Sequence, residues 1–241
     1  MVSDSNLSSS MAAPYAGGVT AASWRHVDCV VSFSSTIAVM NASIASPHHE
    51  RLFAVASAQA GCFTTSQAAA QGFSSALLSH HVRSGRFVRI ARGLYRFRDY
   101  PAQPGDEIVA AWLRQAPDAV VSHESALGVL DLADTIADRV HLTVPRDRRR
   151  LVPQQGVAIH TTTHALGPGD TVTRRGMRVT APARTIADVA AAGVAPDQVT
   201  AAVHAALARG MTTPSLLREA AKARGRRVQQ LVEAALSGAG E

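Results

Sequence analysis

The chain has 241 residues, of which 46% are hydrophobic and 17% charged, and its formal net charge is +6. This length suffices for two domains, and the lack of any run of about 18 apolar residues argues against a membrane-spanning helix. Cys29 and Cys62 show no disulfide or metal-binding spacing, so a reducing, cytoplasmic location is predicted. Lys222 is the only lysine, so arginine carries the positive charge, which suggests an anionic partner.

The first 46 residues lack the features of a folded segment. They are rich in Ser, Ala and Gly and have no periodic apolar pattern, which predicts a disordered tail over 1–46. The alternative is that translation starts at Met11 or Met40. Residues 30–45 loosely resemble a signal-peptide core, but Asp28 and the lack of a basic start favour a cytoplasmic protein.

Residues 47–99 are predicted to fold as a winged helix-turn-helix domain. Apolar residues at helical spacing predict a first helix over 49–59. Thr64 followed by Gln67 has the spacing of a capping box, which predicts the start of a second helix. A third helix follows over 74–84, and three short helices separated by glycine turns are typical of helix-turn-helix proteins.

A β-hairpin rich in arginine is predicted next. Its strands span 86–90 and 94–98, with Gly93 ending the three-residue turn. Residues 83–98 contain six arginines and no acidic residue. A surface whose charges serve only solubility mixes positive and negative residues, so this concentration of arginine favours a nucleic-acid partner over simple solubilising charge. The apolar residues expected to hold the hairpin against the helices are Phe87, Ile90, Leu94 and Tyr95.

The prediction for double-stranded DNA places the third helix in the major groove and the hairpin along the backbone. The residues assigned to base edges lie opposite the apolar stripe of that helix: Ser75, Ser79, His80 and Arg83. The residues assigned to phosphates are the hairpin arginines, with the tip at Arg92 placed for the minor groove: Arg86, Arg89, Arg92 and Arg96. Thr64 and Thr65 lie at a helix N-terminus, where free N–H groups favour a phosphate.

The fold class predicted for the whole chain is α+β, with the winged helix-turn-helix followed by a mixed α/β domain that ends in a helical C-terminal region. YPAQPG (100–105) is predicted to be a linker, and the second domain spans 106–238. The predicted helices and strands of this domain are 106–115, 119–122, 123–132, 139–145, 156–162, 171–180 and 183–193, with helices from Pro196 onward. Ser122 is predicted to cap the helix that starts at His123.

Two charged segments of the second domain each leave two interpretations open. Residues 99–138 contain eight acidic residues and one arginine, which fits either a basic protein partner or a solvated face. Four arginines cluster shortly afterwards, as a second nucleic-acid surface or as a solvated loop: Arg146, Arg148, Arg149 and Arg150.

No catalytic constellation is found, so the chain is predicted not to be an enzyme and to need no cofactor or metal ion. His160 and His164 have metal-like spacing only on a helix, whereas in the predicted strand their side chains lie about 13 Å apart. His123 and Glu124 are interpreted as a packing or capping pair. A phosphate-binding loop of the GxxxxGK[ST] type does not occur.

Several runs resemble the AbiEi-type antitoxins of type IV, abortive-infection toxin–antitoxin systems. They are TTSQAAAQGFSSALLSHHVRSGRFVRIARGLYRF, SHESALGVLDL, HLTVP and RGMRVTAPARTIADVA. The resemblance covers about residues 48–236, and its most specific parts are the hairpin ending in Gly93-x-Tyr95 and the segment 179–190. The sequence departs from the usual pattern at Leu77, where a polar residue is common.

This resemblance implies two roles. The winged helix would bind inverted repeats in the promoter of its own operon and repress transcription, and the C-terminal domain would counteract a nucleotidyltransferase-like toxin, directly or only functionally. The alternatives are a stand-alone winged-helix transcriptional regulator and a nuclease-related enzyme. An adjacent toxin gene would favour the antitoxin, and metal-dependent DNA cleavage would favour the enzyme.

Overall fold

The N-terminal part of the molecule combines three short helices with a small antiparallel sheet. The structure, a computed structural model, describes residues 46–133, 137–147, 154–163 and 166–238. The elements of this part are α1 (His49–Ser57), β1 (Cys62–Thr64), α2 (Thr65–Ala70), α3 (Ser75–Arg83), β2 (Phe87–Ala91) and β3 (Leu94–Phe97). The strand order is β1-β3-β2, which completes the predicted winged helix-turn-helix.

Side-chain caps fix where the second and third helices begin. The Gln67 N–H donates to Thr64 Oγ1 at 3.2 Å, and the Thr64 N–H donates to Gln67 Oε1 at 2.8 Å, which is the predicted capping box. The Leu77 N–H donates to Ser74 Oγ at 3.2 Å, so Ser74 caps α3. Strand β1 was not predicted, because it has only three residues and its last one, Thr64, is also the N-cap of α2.

The hairpin contains a bulge that changes which side chains it buries. The register between β2 and β3 shifts between Arg89 and Ala91, so Ile90 is the extra residue. Phe87 and Leu94 are buried as predicted, but Ile90 is 46% exposed, and its predicted packing against the helices is wrong. Gly93 has φ +77°, a conformation that glycine adopts without strain, at the end of the turn.

The C-terminal part is a mixed five-stranded sheet with helices. Its elements are α4 (Asp106–Gln115), β4 (Val120–Val121), α5 (His123–Val129), β5 (Val140–Pro145), β6 (Val157–Thr162), β7 (Thr171–Arg174), β8 (Met177–Thr180), α6 (Pro182–Ala192), α7 (Pro196–Ala208), α8 (Pro214–Lys222) and α9 (Arg226–Ser237). The strand order is β6-β5-β4-β8-β7, with β4–β8 and β5–β6 parallel. No helix in the described ranges is long and apolar enough to span a membrane.

Ser122 lies at the N-cap position of α5, but its side chain does not cap the helix as predicted. Its hydroxyl oxygen instead accepts a hydrogen bond from Thr143 Oγ1 at 2.8 Å and lies 3.0 Å from His123 Nδ1. The predicted tail (up to residue 45), His164 and the arginines at 148–150 lie outside the described residues.

Two clusters of buried apolar side chains hold the molecule together. The smaller one lies within the winged helix and consists of Leu52, Ala56, Phe63, Ala68, Phe73, Leu78 and Phe87. The larger one fills the C-terminal part, and it also includes Ala60, Cys62 and Leu94 from the winged helix. The base of the hairpin therefore contributes to the core of the α/β region.

Polar contacts connect the winged helix to the C-terminal part around the predicted linker. Asp106 accepts hydrogen bonds from Arg96 Nη2 at 3.2 Å and from Arg175 Nη2 at 2.9 Å. The Tyr100 hydroxyl donates to the Ser57 carbonyl oxygen at 3.0 Å. A Cβ at Gly61 would lie 2.4 Å from the Tyr100 ring, so only glycine fits beneath this tyrosine.

Candidate nucleic-acid interface

Helix α3 presents a polar face to solvent. The four residues predicted to contact base edges, Ser75, Ser79, His80 and Arg83, are all exposed. Leu78, on the opposite side of the helix, is 1% exposed and packs in the winged-helix core. Ser79 Oγ donates to the Ser75 carbonyl oxygen at 2.9 Å, which leaves its oxygen free to accept another hydrogen bond.

Four arginines at the end of α3 and along the hairpin are exposed and have neither a carboxylate nor a carbonyl partner among the described residues: Arg83, Arg86, Arg89 and Arg92. Arg98 is also exposed, but its Nε donates to the Gly85 carbonyl oxygen. Arg89 pairs across the hairpin with Tyr95, and Phe87 pairs with Phe97. Because side chains alternate between the two faces of a strand, Arg89 lies on the same face as buried Phe87, which is the face that packs on the helices. Arg89 is exposed, so on this face its positive charge lies beyond the buried Phe87.

Arg96 belongs to the opposite face of the hairpin. Its cross-strand partners are Val88 and Cys62, and Cys62 is buried in the larger core. The guanidinium is only 21% exposed; it donates to the Ala60 carbonyl oxygen at 3.2 Å and forms an ion pair with Asp106 at 3.2 Å. The structure therefore gives Arg96 intramolecular partners, and its contact with a phosphate stays a prediction.

The two threonines assigned to a phosphate also form hydrogen bonds within the protein. The Thr64 hydroxyl accepts the capping hydrogen bond of α2. The Thr65 N–H and hydroxyl donate to the Gly93 carbonyl oxygen at 2.9 and 3.3 Å. These contacts hold the tip of the hairpin against the start of α2.

A histidine that the sequence reasoning left without a role lies in the winged-helix core. His81 is 7% exposed, its Nε2 has no hydrogen-bond partner, and its ring lies 4.9 Å from that of Phe87 and 5.2 Å from that of His49. Burial lowers the pKa of His81, and the nearby charges of His49, Arg86 and His80 lower it further. Protonation of this imidazole is therefore disfavoured in the folded protein.

We expect the winged helix to lose stability as the pH falls below about 6.5. The native pKa of His81 lies below the unfolded value of 6.5, so between these two pKa values the unfolded chain binds a proton that the native chain does not. His81→Phe should make the free energy of unfolding less pH-dependent, by up to one bound proton per molecule. Urea unfolding of the full chain at pH 5 to 8, monitored by circular dichroism, measures this.

His81→Gln separates loss of the titrating group from loss of a polar side chain, because glutamine stays polar but does not titrate in this range. Both variants should show the same weakened pH dependence, whatever their absolute stabilities. Equal pH dependence in the wild type and both variants would contradict the assignment to His81.

Comparison with known proteins agrees with the resemblance seen in the sequence. Residues 50–98 match the family model described as "Transcriptional regulator, AbiEi antitoxin". The chain is also similar in structure to the RV2827C protein from Mycobacterium tuberculosis, with a TM-score of 0.52, 15% sequence identity, and coverage of 80% of this chain and 77% of that chain. This likeness shows a shared fold. No curated protein matches the sequence.

Proposed function

We propose that this chain, whose residues 50–98 belong to the AbiEi antitoxin family of transcriptional regulators, binds duplex DNA in its own promoter and represses its own operon. The observation that carries the proposal is the set of four exposed arginines without carboxylate partners at the end of α3 and on the hairpin. In this arrangement α3 enters the major groove and two copies of the protein occupy an inverted repeat.

The four arginines divide into two tasks. Arg83 continues the exposed face of α3, and a guanidinium there can donate two hydrogen bonds to a guanine edge. Arg86, Arg89 and Arg92 follow the hairpin and neutralise phosphates, which gives affinity without sequence information.

The double variant Arg89→Ala, Arg92→Ala is expected to weaken DNA binding and to reduce its salt dependence. Each neutralised phosphate contributes about −0.9 to the slope of log K against log salt, so the slope should flatten by about 2. Fluorescence anisotropy with the native upstream DNA at several salt concentrations measures this slope.

Arg226→Ala, Arg227→Ala is the matched control, because it removes the same charge from exposed positions at the start of α9. This control should leave the slope unchanged. Arg96→Ala should also leave it unchanged, because Arg96 already forms an ion pair with Asp106. Equal flattening in the α9 control would show that the net charge of the protein, and not the position of the hairpin arginines, determines the slope. A wild-type protein without preference for the promoter over random duplex would contradict repression.

We further propose that the chain counteracts a nucleotidyltransferase-like toxin encoded beside it. The family description, which names an antitoxin, supports this role, and the acidic composition of residues 99–138 suits a basic partner. The test expresses the neighbouring toxin from a foreign promoter, so that repression cannot explain rescue of growth. Rescue by both the wild type and the Arg89, Arg92 variant supports an antitoxin role separate from DNA binding, and absence of rescue by the wild type excludes it.

A further inference from the structure

Three histidines that are far apart in the sequence meet at one end of the α/β sheet. His123 starts α5, His141 lies on β5 and His160 lies on β6. Strands β5 and β6 are parallel, and His141 pairs with Ala158. His160 lies two residues after Ala158 on β6, so both histidines lie on the same face of the sheet. One ring nitrogen from each histidine lies within 4.8 Å of the others.

We infer that His123, His141 and His160 bind a divalent transition-metal ion. Three imidazole nitrogens are a ligand set that suits Zn²⁺ and its neighbours in the first transition row. His141 Nδ1 and His160 Nε2 are already 3.0 Å apart, close to the about 3.4 Å expected between two ligands of tetrahedral zinc. This site is independent of the proposed DNA binding.

The outer partners of two histidines are those that metal ligands commonly have. His141 Nε2 lies 3.0 Å from Glu124 Oε2, which fixes the ring and leaves Nδ1 to face the other histidines. His123 Nδ1 lies 3.0 Å from Ser122 Oγ, which Thr143 holds in turn at 2.8 Å. A proton on each of these outer nitrogens leaves the inner nitrogen of each ring with a lone pair for the ion.

His123 is also held in an unusual backbone conformation. Its φ is +52°, which a non-glycine residue adopts at a cost, and such residues cluster at functional sites. The ring stacks on that of His160 with centroids 3.7 Å apart. Metal binding requires the His123 ring to rotate out of this stack, because the lone pairs of parallel rings do not converge on one point.

Charges of both signs surround the cluster. Arg224 and Arg184 lie near His123 and oppose a bound cation, but both form ion pairs with Asp188. Glu124 supplies a negative charge beside His141. A cavity of about 420 Å³ borders Glu124 and His141 but is not lined by His123 or His160, so it lies beside the cluster.

The test titrates Zn²⁺ into the metal-stripped, tag-free full chain against a chromophoric chelator. We expect one equivalent to bind, and His160→Ala to lower the affinity by more than about 100-fold, beyond the about 10- to 100-fold loss typical of an outer partner. Glu124→Gln should cause that smaller loss. His204→Ala is the control, because His204 lies outside the cluster and its Nε2 contacts the Ala235 carbonyl oxygen.

Two measurements on the wild type do not depend on whether a variant folds. Co²⁺ should give the intense visible absorption of a tetrahedral site, and Zn²⁺ should raise the melting temperature in proportion to the logarithm of its concentration. Absence of stoichiometric Zn²⁺ binding overturns the inference. So does binding that survives in folded His160→Ala protein, or that is lost equally in the His204 control.

Discussion

Asp188→Ala is expected to lower the free energy of unfolding by about 3–5 kcal/mol, because it breaks a buried ion-pair network by removing one partner. Asp188 is 4% exposed and lies on α6. Its carboxylate accepts from Arg184 Nε at 2.8 Å and from Arg224 Nε at 2.6 Å. Without it, two partly buried guanidinium groups lose their shared counter-charge, and Arg184 retains only Asp170 at 3.7 Å.

Urea unfolding of the full chain measures this effect, with Glu233→Ala as the matched control. Glu233 also accepts two hydrogen bonds from one arginine, Arg218, but both side chains are about half exposed. Exposed ion pairs add little to stability, so the control should barely move the unfolding midpoint. Similar midpoints for the two variants would show that burial of Asp188 does not set its contribution.

Phe63→Ala is expected to destabilise the winged helix by about 3–5 kcal/mol through the cavity it leaves. Phe63 is 0% exposed, and its ring centroid lies 5.0 Å from that of Phe87, 5.4 Å from that of Phe97 and 5.9 Å from that of Tyr95. The core it occupies is small, so one aromatic ring is a large share of its packing. DNA binding should be lost at the temperature where this part of the chain unfolds.

Phe53→Ala is the control for this experiment. Phe53 also contacts the ring of Phe97, at 5.3 Å, but it is 49% exposed, so its removal leaves no buried cavity. We expect the control to change the melting temperature much less than Phe63→Ala does. Equal effects would mean that contact with Phe97, rather than burial, determines the loss.

Local patterns predicted most of the elements in this chain. The capping box at Thr64 and Gln67 is decided by residues three apart, so the sequence is sufficient to place it. Proline at the start of α6 and a left-handed glycine at its end bracket that helix in the same way. Such features depend on neighbours in the chain and are visible without a structure.

Features that depend on tertiary contacts were not predictable from the sequence. Arg96 is of the same residue type as the other hairpin arginines, and only the packing of α4 against the hairpin reveals Asp106 as its partner. The three clustered histidines are 18 and 19 residues apart in the chain, so no short motif connects them. Their proximity follows from the parallel pairing of β5 with β6, which a strand pattern alone does not specify.

The shared core at the base of the hairpin limits how this protein can be divided or recombined. Cys62 and Leu94 are 2% and 1% exposed, and both are covered by the α/β region. Cutting the chain at 100–105 would bare these side chains to water and separate Arg96 from Asp106. Exchange of the winged helix for that of another protein would therefore have to replace the residues on both sides of this shared core together.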